Sequence, residues 1–148
     1  MAGGRAGGRA GAPGRPTDTR GRSDRAAFGR RAEDRACACL RAGGLHIVAR
    51  NYRVGGGPGR PGGELDLVGR EPDGTLVFVE VRARRGRGMG GAGGSIGATK
   101  RRRVLHAARV FLARFPLPPP CRFDVVLVQG DRLQWLKGAF DATGASDE

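Results

Sequence analysis

The sequence predicts an α/β sandwich, a mixed sheet with helices on its faces, in the order α-β-β-β-α-β-β. Two segments, Asp24–Ala42 and Gly97–Phe115, repeat apolar residues at helical spacing. Five short runs around them have the alternation or continuous apolarity of strands. Tight turns at Pro72-Asp73-Gly74 and Gly130-Asp131 join two pairs of these runs into hairpins. At 148 residues the chain makes one domain with a real core. Residues 1–22, Gly/Arg-rich and aperiodic, are expected to be a disordered basic tail, residues 23–142 the domain, and 143–148 a short C-terminal tail.

In the first helix Ser23 is the expected N-cap and Gly43-Gly44 the stop. Phe28, Ala32, Ala36, Cys39 and Leu40 share one arc with Gly29 and Cys37, while Arg30, Arg31, Asp34, Arg35 and Arg41 occupy the other. Glu33 falls inside the apolar arc, where a carboxylate is rarely buried unpaired. Two readings stand: a salt bridge to an arginine at the helix edge, or a third acid aimed at the central hairpin. Leu45–Val54 reads as the first strand, with His46 on its surface. The Gly-rich loop after it lacks the spacing of a nucleotide-binding P-loop.

The central hairpin spans residues 62–82. Pro72 and Asp73 suit a type I turn and Gly74 the left-handed bulge residue after it, which pairs Glu71 with Thr75. Counting back, Leu67 faces Val79, Leu65 faces Val81, Asp66 faces Glu80 and Glu64 faces Arg82. One face is then apolar (Leu65, Leu67, Val77, Val79, Val81). The other carries Val68 and Phe78, then Asp66 beside Glu80. Directly opposed side chains sit roughly 5 Å apart at Cβ, and like charges there are destabilising. A divalent cation between the carboxylates would account for the pair.

Arg84–Gly94 is expected to be a mobile loop, and its arginines Arg84, Arg85 and Arg87 make either a basic flap beside the acids or a functionless linker. In the second helix Val104, Leu105, Ala107, Ala108, Phe111, Leu112 and Phe115 form the buried face. Lys100 lies on that stripe one turn nearer the N-terminus, where anions bind well. Arg102, His106 and Arg109 point away. Pro116–Pro120 is a stiff connection to the hairpin of Arg122–Gln129 and Arg132–Leu136, whose Trp135 is expected to pack on the sheet.

The formal charge is +13, nearly all from arginine, and residues 1–22 account for only +4 of it, so the domain itself is basic. That balance favours polyanions, nucleic acid first, although arginine-rich codon usage gives the same composition. A membrane partner is not expected: no run approaches the ~20 apolar residues needed to span, and the N-terminus lacks a signal peptide's apolar centre. Cys37, Cys39 and Cys121 lack zinc-site spacing and read as small buried hydrophobes in a reducing, cytoplasmic compartment. An aromatic content of 5% argues against a carbohydrate substrate for the paired acids.

Gly29-x-x-x-Glu33, Arg50-Asn51-Tyr52-Arg53, Gly63-Glu64-Leu65-Asp66-Leu67-Val68, Phe78-Val79-Glu80-Val81-Arg82, Arg122-Phe123-Asp124-Val125 and Ala139-Phe140 resemble, in order, the motifs of the YraN family of bacterial proteins. The resemblance covers about residues 25–142. That family is similar to the restriction-endonuclease-like superfamily, with its PD-(D/E)-x-K signature, and to Holliday-junction resolvases within it. The resemblance implies a restriction-endonuclease-like mixed sheet and a Mg²⁺- or Mn²⁺-dependent endonuclease acting on DNA, branched or otherwise structured DNA included. Asp66 takes the Asp position, Glu80 the Asp/Glu position, Arg82 the Lys position, and Glu33 the helix glutamate. Arg82 departs from the signature: it stays protonated and cannot accept a proton. It either stabilises developing phosphate charge or pairs with Glu64, and Lys100 is the nearest stand-in for the lysine.

The expected site is thus Asp66, Glu80 and Glu33 on the metal, with the Val81 carbonyl. Arg82 is catalytic beside them, and Lys100, Arg84, Arg85, Arg87 and Arg101 contact nucleic acid, DNA before RNA. The alternatives are a nucleic-acid-binding module without activity on the same scaffold, and a protein-interaction factor. The sequence is compatible with an oligomer.

Overall fold

The structure, a computed structural model, describes residues 19–59, 62–84 and 96–140. Most of the proposed N-terminal tail, the C-terminal tail, and Arg85 and Arg87 of the proposed flap lie outside the described residues. The elements are α1 (Thr19–Ala42), β1 (His46–Val54), β2 (Gly63–Arg70), β3 (Leu76–Arg84), α2 (Ala98–Leu112), β4 (Cys121–Gln129) and β5 (Arg132–Phe140). This is the order read from the sequence.

The strands form one sheet in chain order, antiparallel except between β3 and β4. Parallel neighbours cannot be joined by a tight turn, and α2 makes the crossover. It lands on one face, where Val104, Ala107, Ala108 and Phe111 pack with Leu65, Val68, Phe78 and Phe123. On the other face Ala32, Ala36, Cys37 and Leu40 of α1 meet Leu67, Val77, Val79, Val126 and Val128. With both faces covered, β3 and β4 carry the longest apolar runs of the sequence, Leu76–Val79 and Val125–Val128.

Four boundaries or burials differ from expectation. The first helix begins at Thr19, so Ser23 lies inside it and is not its N-cap. The second ends at Leu112, three residues early: Phe115 precedes Pro116, and that position disfavours helical backbone. Phe115 still packs on the α2-side core. The last strand runs four residues past Leu136, bringing Phe140 to stack on Phe123 with ring centroids 4.9 Å apart. Among the cysteines, Cys37 is buried but Cys121 is exposed at the start of β4, so it is not a core residue. His46 and His106 are exposed, as expected.

Asp124, fully buried on β4, ties β4, β5 and the central hairpin together. Its carboxylate accepts from Arg122 Nε at 3.1 and 3.2 Å, Trp135 Nε1 at 2.9 Å and the Gly138 N–H at 2.9 Å. Arg122 Nη2 then reaches Glu71 beside the hairpin turn at 2.7 Å.

Helix α2 approaches β2 most closely at Gly63. A Cβ there would stand 2.7 Å from the Arg103 carbonyl and 2.8 Å from the Ala107 nitrogen, both backbone atoms that cannot move alone. Gly63→Ala is therefore expected to cost about 1–3 kcal/mol in urea unfolding, the range of overpacked cores. A change below about 0.5 kcal/mol would mean the helix rides further out.

Candidate functional site

The turn at the tip of the central hairpin has the chemistry read from its residues. The Glu71 N–H donates to the Thr75 carbonyl and the Gly74 N–H to the Glu71 carbonyl, each at 2.9 Å. Gly74 adopts φ 95°, and the Asp73 carboxylate accepts the Thr75 N–H. The register follows as expected, from Arg70–Leu76 through Leu67–Val79.

The ladder ends there, and the site begins. The Val81 N–H donates to Asp66 Oδ2 at 2.9 Å, a side-chain contact where the count from the turn anticipated backbone pairing. Leu65 and Leu67, two apart, pack on opposite sides of the sheet, so side-chain alternation breaks across Asp66. The expected apolar face of the hairpin is corrected accordingly: Leu65 belongs to the α2 side with Val68 and Phe78. On β1, Asn51 lies between the pairs Arg50–Leu67 and Tyr52–Leu65 and takes the left-handed conformation, φ 51°. Asparagine tolerates that region better than most residues.

This kink brings Asp66 and Glu80 together. Both are buried, 7% and 6% exposed, and their carboxyl groups lie within hydrogen-bonding reach of each other. Burial raises the pKa of Asp66, while the Val81 N–H and the Glu80 carboxyl counteract. Glu80 is pushed up to about 8, first by burial and then by the Asp66 charge, against the pull of Lys100. Lys100, reaching in from the first turn of α2, places Nζ 3.1 Å from Glu80 Oε1. The other oxygen, Glu80 Oε2, is buried and receives no hydrogen bond.

A pH dependence follows for the metal-free protein. The ordinary carboxyl value is 4.5 and the folded value of Glu80 is higher, so between them the native state holds more protons than the unfolded chain. This contribution is fully present below pH ~4.5 and is lost as pH rises through about 8. Glu80→Gln removes the titrating group and is expected to raise the melting temperature at pH 9 while changing little at pH 5. An equal shift at both would disprove the link.

Glu33 is half-buried and accepts from Asn51 Nδ2 at 3.2 Å, with the charge of Arg50 also acting on it. Its pKa is raised, by burial first, with Asp66 and Glu64 contributing. Among the described residues no three His, Cys, Asp or Glu side chains converge as metal ligands. Glu64 pairs with Arg53 at 3.7 Å and Arg103 at 4.0 Å. Arg82, the alternative partner for Glu64, instead buries Nη1 with no hydrogen-bond partner. Arg101 stands over the Phe140 ring at 5.7 Å with its Nε buried and unpartnered, and Arg84 closes β3 half-buried. The structure thus joins Asp66, Glu80 and Lys100, and adds Asn51, which the sequence offered only as part of the Arg50–Arg53 motif and not as a site residue. Its signal was an asparagine inside an otherwise strand-like run.

Two buried carboxylates with an unsatisfied oxygen offer hard oxygen donors, the set that Mg²⁺ and Mn²⁺ take. Comparison with known proteins shows where such a chain belongs. The model of the Uncharacterised protein family UPF0102 matches residues 32–128, which include all of these acids. A UPF0102 protein of Acidovorax sp. (strain JS42) is 64% identical over 121 residues, 82% of this chain and 89% of the relative. One of Paracidovorax citrulli (strain AAC00-1) is 64% identical over 116 residues, 78% and 84% of the two chains. UPF0102 protein Mpe_A3766 of Methylibium petroleiphilum is 56% identical over 117 residues, 79% and 96%. With the expected motifs and the fold in agreement, the chain belongs to the UPF0102, or YraN, family of bacterial proteins.

Proposed function

We propose that this protein is a metal-dependent endonuclease that hydrolyses phosphodiester bonds in DNA, with branched or otherwise structured DNA as the preferred substrate. The observation that carries the reading is the buried Asp66–Glu80 pair with an unsatisfied Glu80 oxygen and a lysine against it. Folding gains nothing from two crowded acids, whereas a cation-binding site needs them. Asp66 and Glu80 would hold Mg²⁺ or Mn²⁺. When bound, such an ion polarises a phosphate oxygen and lowers the pKa of a water.

The other residues act around that centre. Arg82, two residues from Glu80 on β3, keeps its charge at any working pH and would stabilise developing phosphate charge. Arg84 lies on β3, the strand that carries Glu80, and Arg101 on α2 next to Lys100, and both add positive charge for the nucleic-acid backbone. Glu33 acts through Asn51, holding the backbone turn opposite Asp66. The three free cysteines fit a reducing compartment, the cytoplasm, and no described helix is long and apolar enough to cross a membrane.

A second reading, a nucleic-acid-binding module without activity, is favoured by the arginine in the lysine position and by the lack of a third converging ligand among the described residues. Incubating the purified protein with linear duplex, four-way junction and flap DNA, with Mg²⁺ and Mn²⁺, separates the two. The endonuclease reading expects metal-dependent cleavage of at least one. Salt-sensitive binding that survives chelator, without cleavage of any, supports the module instead.

A further inference from the structure

The acid pair does not stand without a cation: a lysine of the chain already lies against it. Lys100 Nζ is 3.1 Å from Glu80 Oε1, and its charge also interacts with Asp66 and Glu64. The two partners differ in freedom. The Glu80 side chain is 7% exposed, but that of Lys100 is 39% exposed, so the lysine has a way out to solvent and the acid does not.

Its position on the helix adds a bias. Lys100 sits in the first turn of α2, which holds no acidic residue and whose N-cap, Gly97, makes no side-chain cap. A helix N-terminus disfavours a cation, so the carboxylates hold the ammonium against the local field. The residue type matters too. Of the 27 basic residues in the chain only Lys100 and Lys137 are lysines. Arginine brings a rigid five-donor fork, whereas lysine brings a compact charge on a flexible four-carbon stem. The lysine is the side chain that can swing away. An ammonium on Oε1 and a divalent cation on Oε2 of one carboxylate would repel at a few ångströms, so each occupancy weakens the other.

We propose that Lys100 is a built-in counter-cation for the Asp66–Glu80 pair, which a divalent ion must displace from Glu80, so that loading the site releases the lysine toward an incoming phosphate. The proposal rests on the metal-site reading above and adds to it a competition within the chain. It makes Lys100 a positioning residue that restrains the metal-free site and becomes available to substrate only in the loaded one.

Calorimetric titration of the full chain with Mn²⁺ tests it directly. Lys100→Met, which keeps the length and removes the charge, is expected to bind Mn²⁺ about fivefold more tightly than wild type, the scale of one partly exposed ion pair. Lys100→Arg is expected to bind no more tightly than wild type, and Asp66→Asn to lose the binding. Equal or weaker binding by Lys100→Met, with wild type binding normally and Asp66→Asn not, overturns the competition and leaves the metal site standing. No Mn²⁺ binding by wild type or Lys100→Met overturns both.

Should Lys100→Met fail to fold, side-chain NMR of the wild-type lysines decides the matter. There are two signals to follow, and Lys137 is marked by its position over the Trp135 ring, 4.4 Å from the centroid. Saturating Mg²⁺ is expected to shift Lys100 toward the solvent-exposed value and leave Lys137 in place. A Lys100 signal unmoved at saturation overturns the displacement.

Discussion

Asp66→Asn is expected to lower Mn²⁺-dependent DNA cleavage by at least about a thousandfold, or ~4 kcal/mol of transition-state stabilisation, while leaving DNA binding within about twofold. The asparagine keeps the size of the side chain and an oxygen to accept the Val81 N–H, so the backbone at the kink is preserved. It removes the negative charge, which a divalent ion needs and a phosphate backbone does not. Glu80→Ala should match it in activity. A surface control is at hand in Asp34→Asn: its carboxylate is 64% exposed, pairs with Arg50 on the outside of α1, and should be silent. Fluorescence anisotropy on labelled junction DNA, alongside the cleavage assay, separates binding from chemistry. Retention of more than a tenth of wild-type activity by Asp66→Asn would remove the pair from the reaction.

Asp124→Ala is expected to destabilise the protein by about 3–5 kcal/mol, the cost of removing one partner from a buried charged network. The loss strands the Trp135 indole N–H, the Gly138 N–H and one edge of the Arg122 guanidinium, each now bonded to Asp124. A domain's whole stability is about 5–15 kcal/mol, so the variant should sit close to unfolding at 37 °C. Urea unfolding followed by the single tryptophan reads this well, because Trp135 touches the deleted carboxylate and its spectrum should shift even in the folded variant. A loss under about 1 kcal/mol would show that water replaces the carboxylate at no cost.

The two aspartates illustrate different kinds of legibility. Asp66 stands out in the sequence because a short turn and strand alternation, both local rules, place it near a second acid. Asp124 stands out only through the resemblance: it sits in an apolar strand, and its donors lie on β4 itself and on β5, in a residue-by-residue arrangement that spacing does not encode. Glu33 shows the limit of a helical wheel. The wheel puts it on the sheet side of α1, and the partner it finds is a neutral amide on β1 that no charge-pairing rule proposes.

By itself the sequence determined the element order, the tight turn with its register as far as Leu67–Val79, the two helix faces, the basic charge and the family. Each of these depends on residues close in the chain or on motifs in order. Tertiary structure alone decided the break of alternation at Asp66, the left-handed Asn51 opposite it and the lysine that crosses from α2 to Glu80. These are contacts between segments 15 to 20 residues apart, set by how the helices settle on the sheet. Packing of that kind selects a backbone conformation no local preference demands, and here it converts two neighbouring acids into a buried pair with a cation against it.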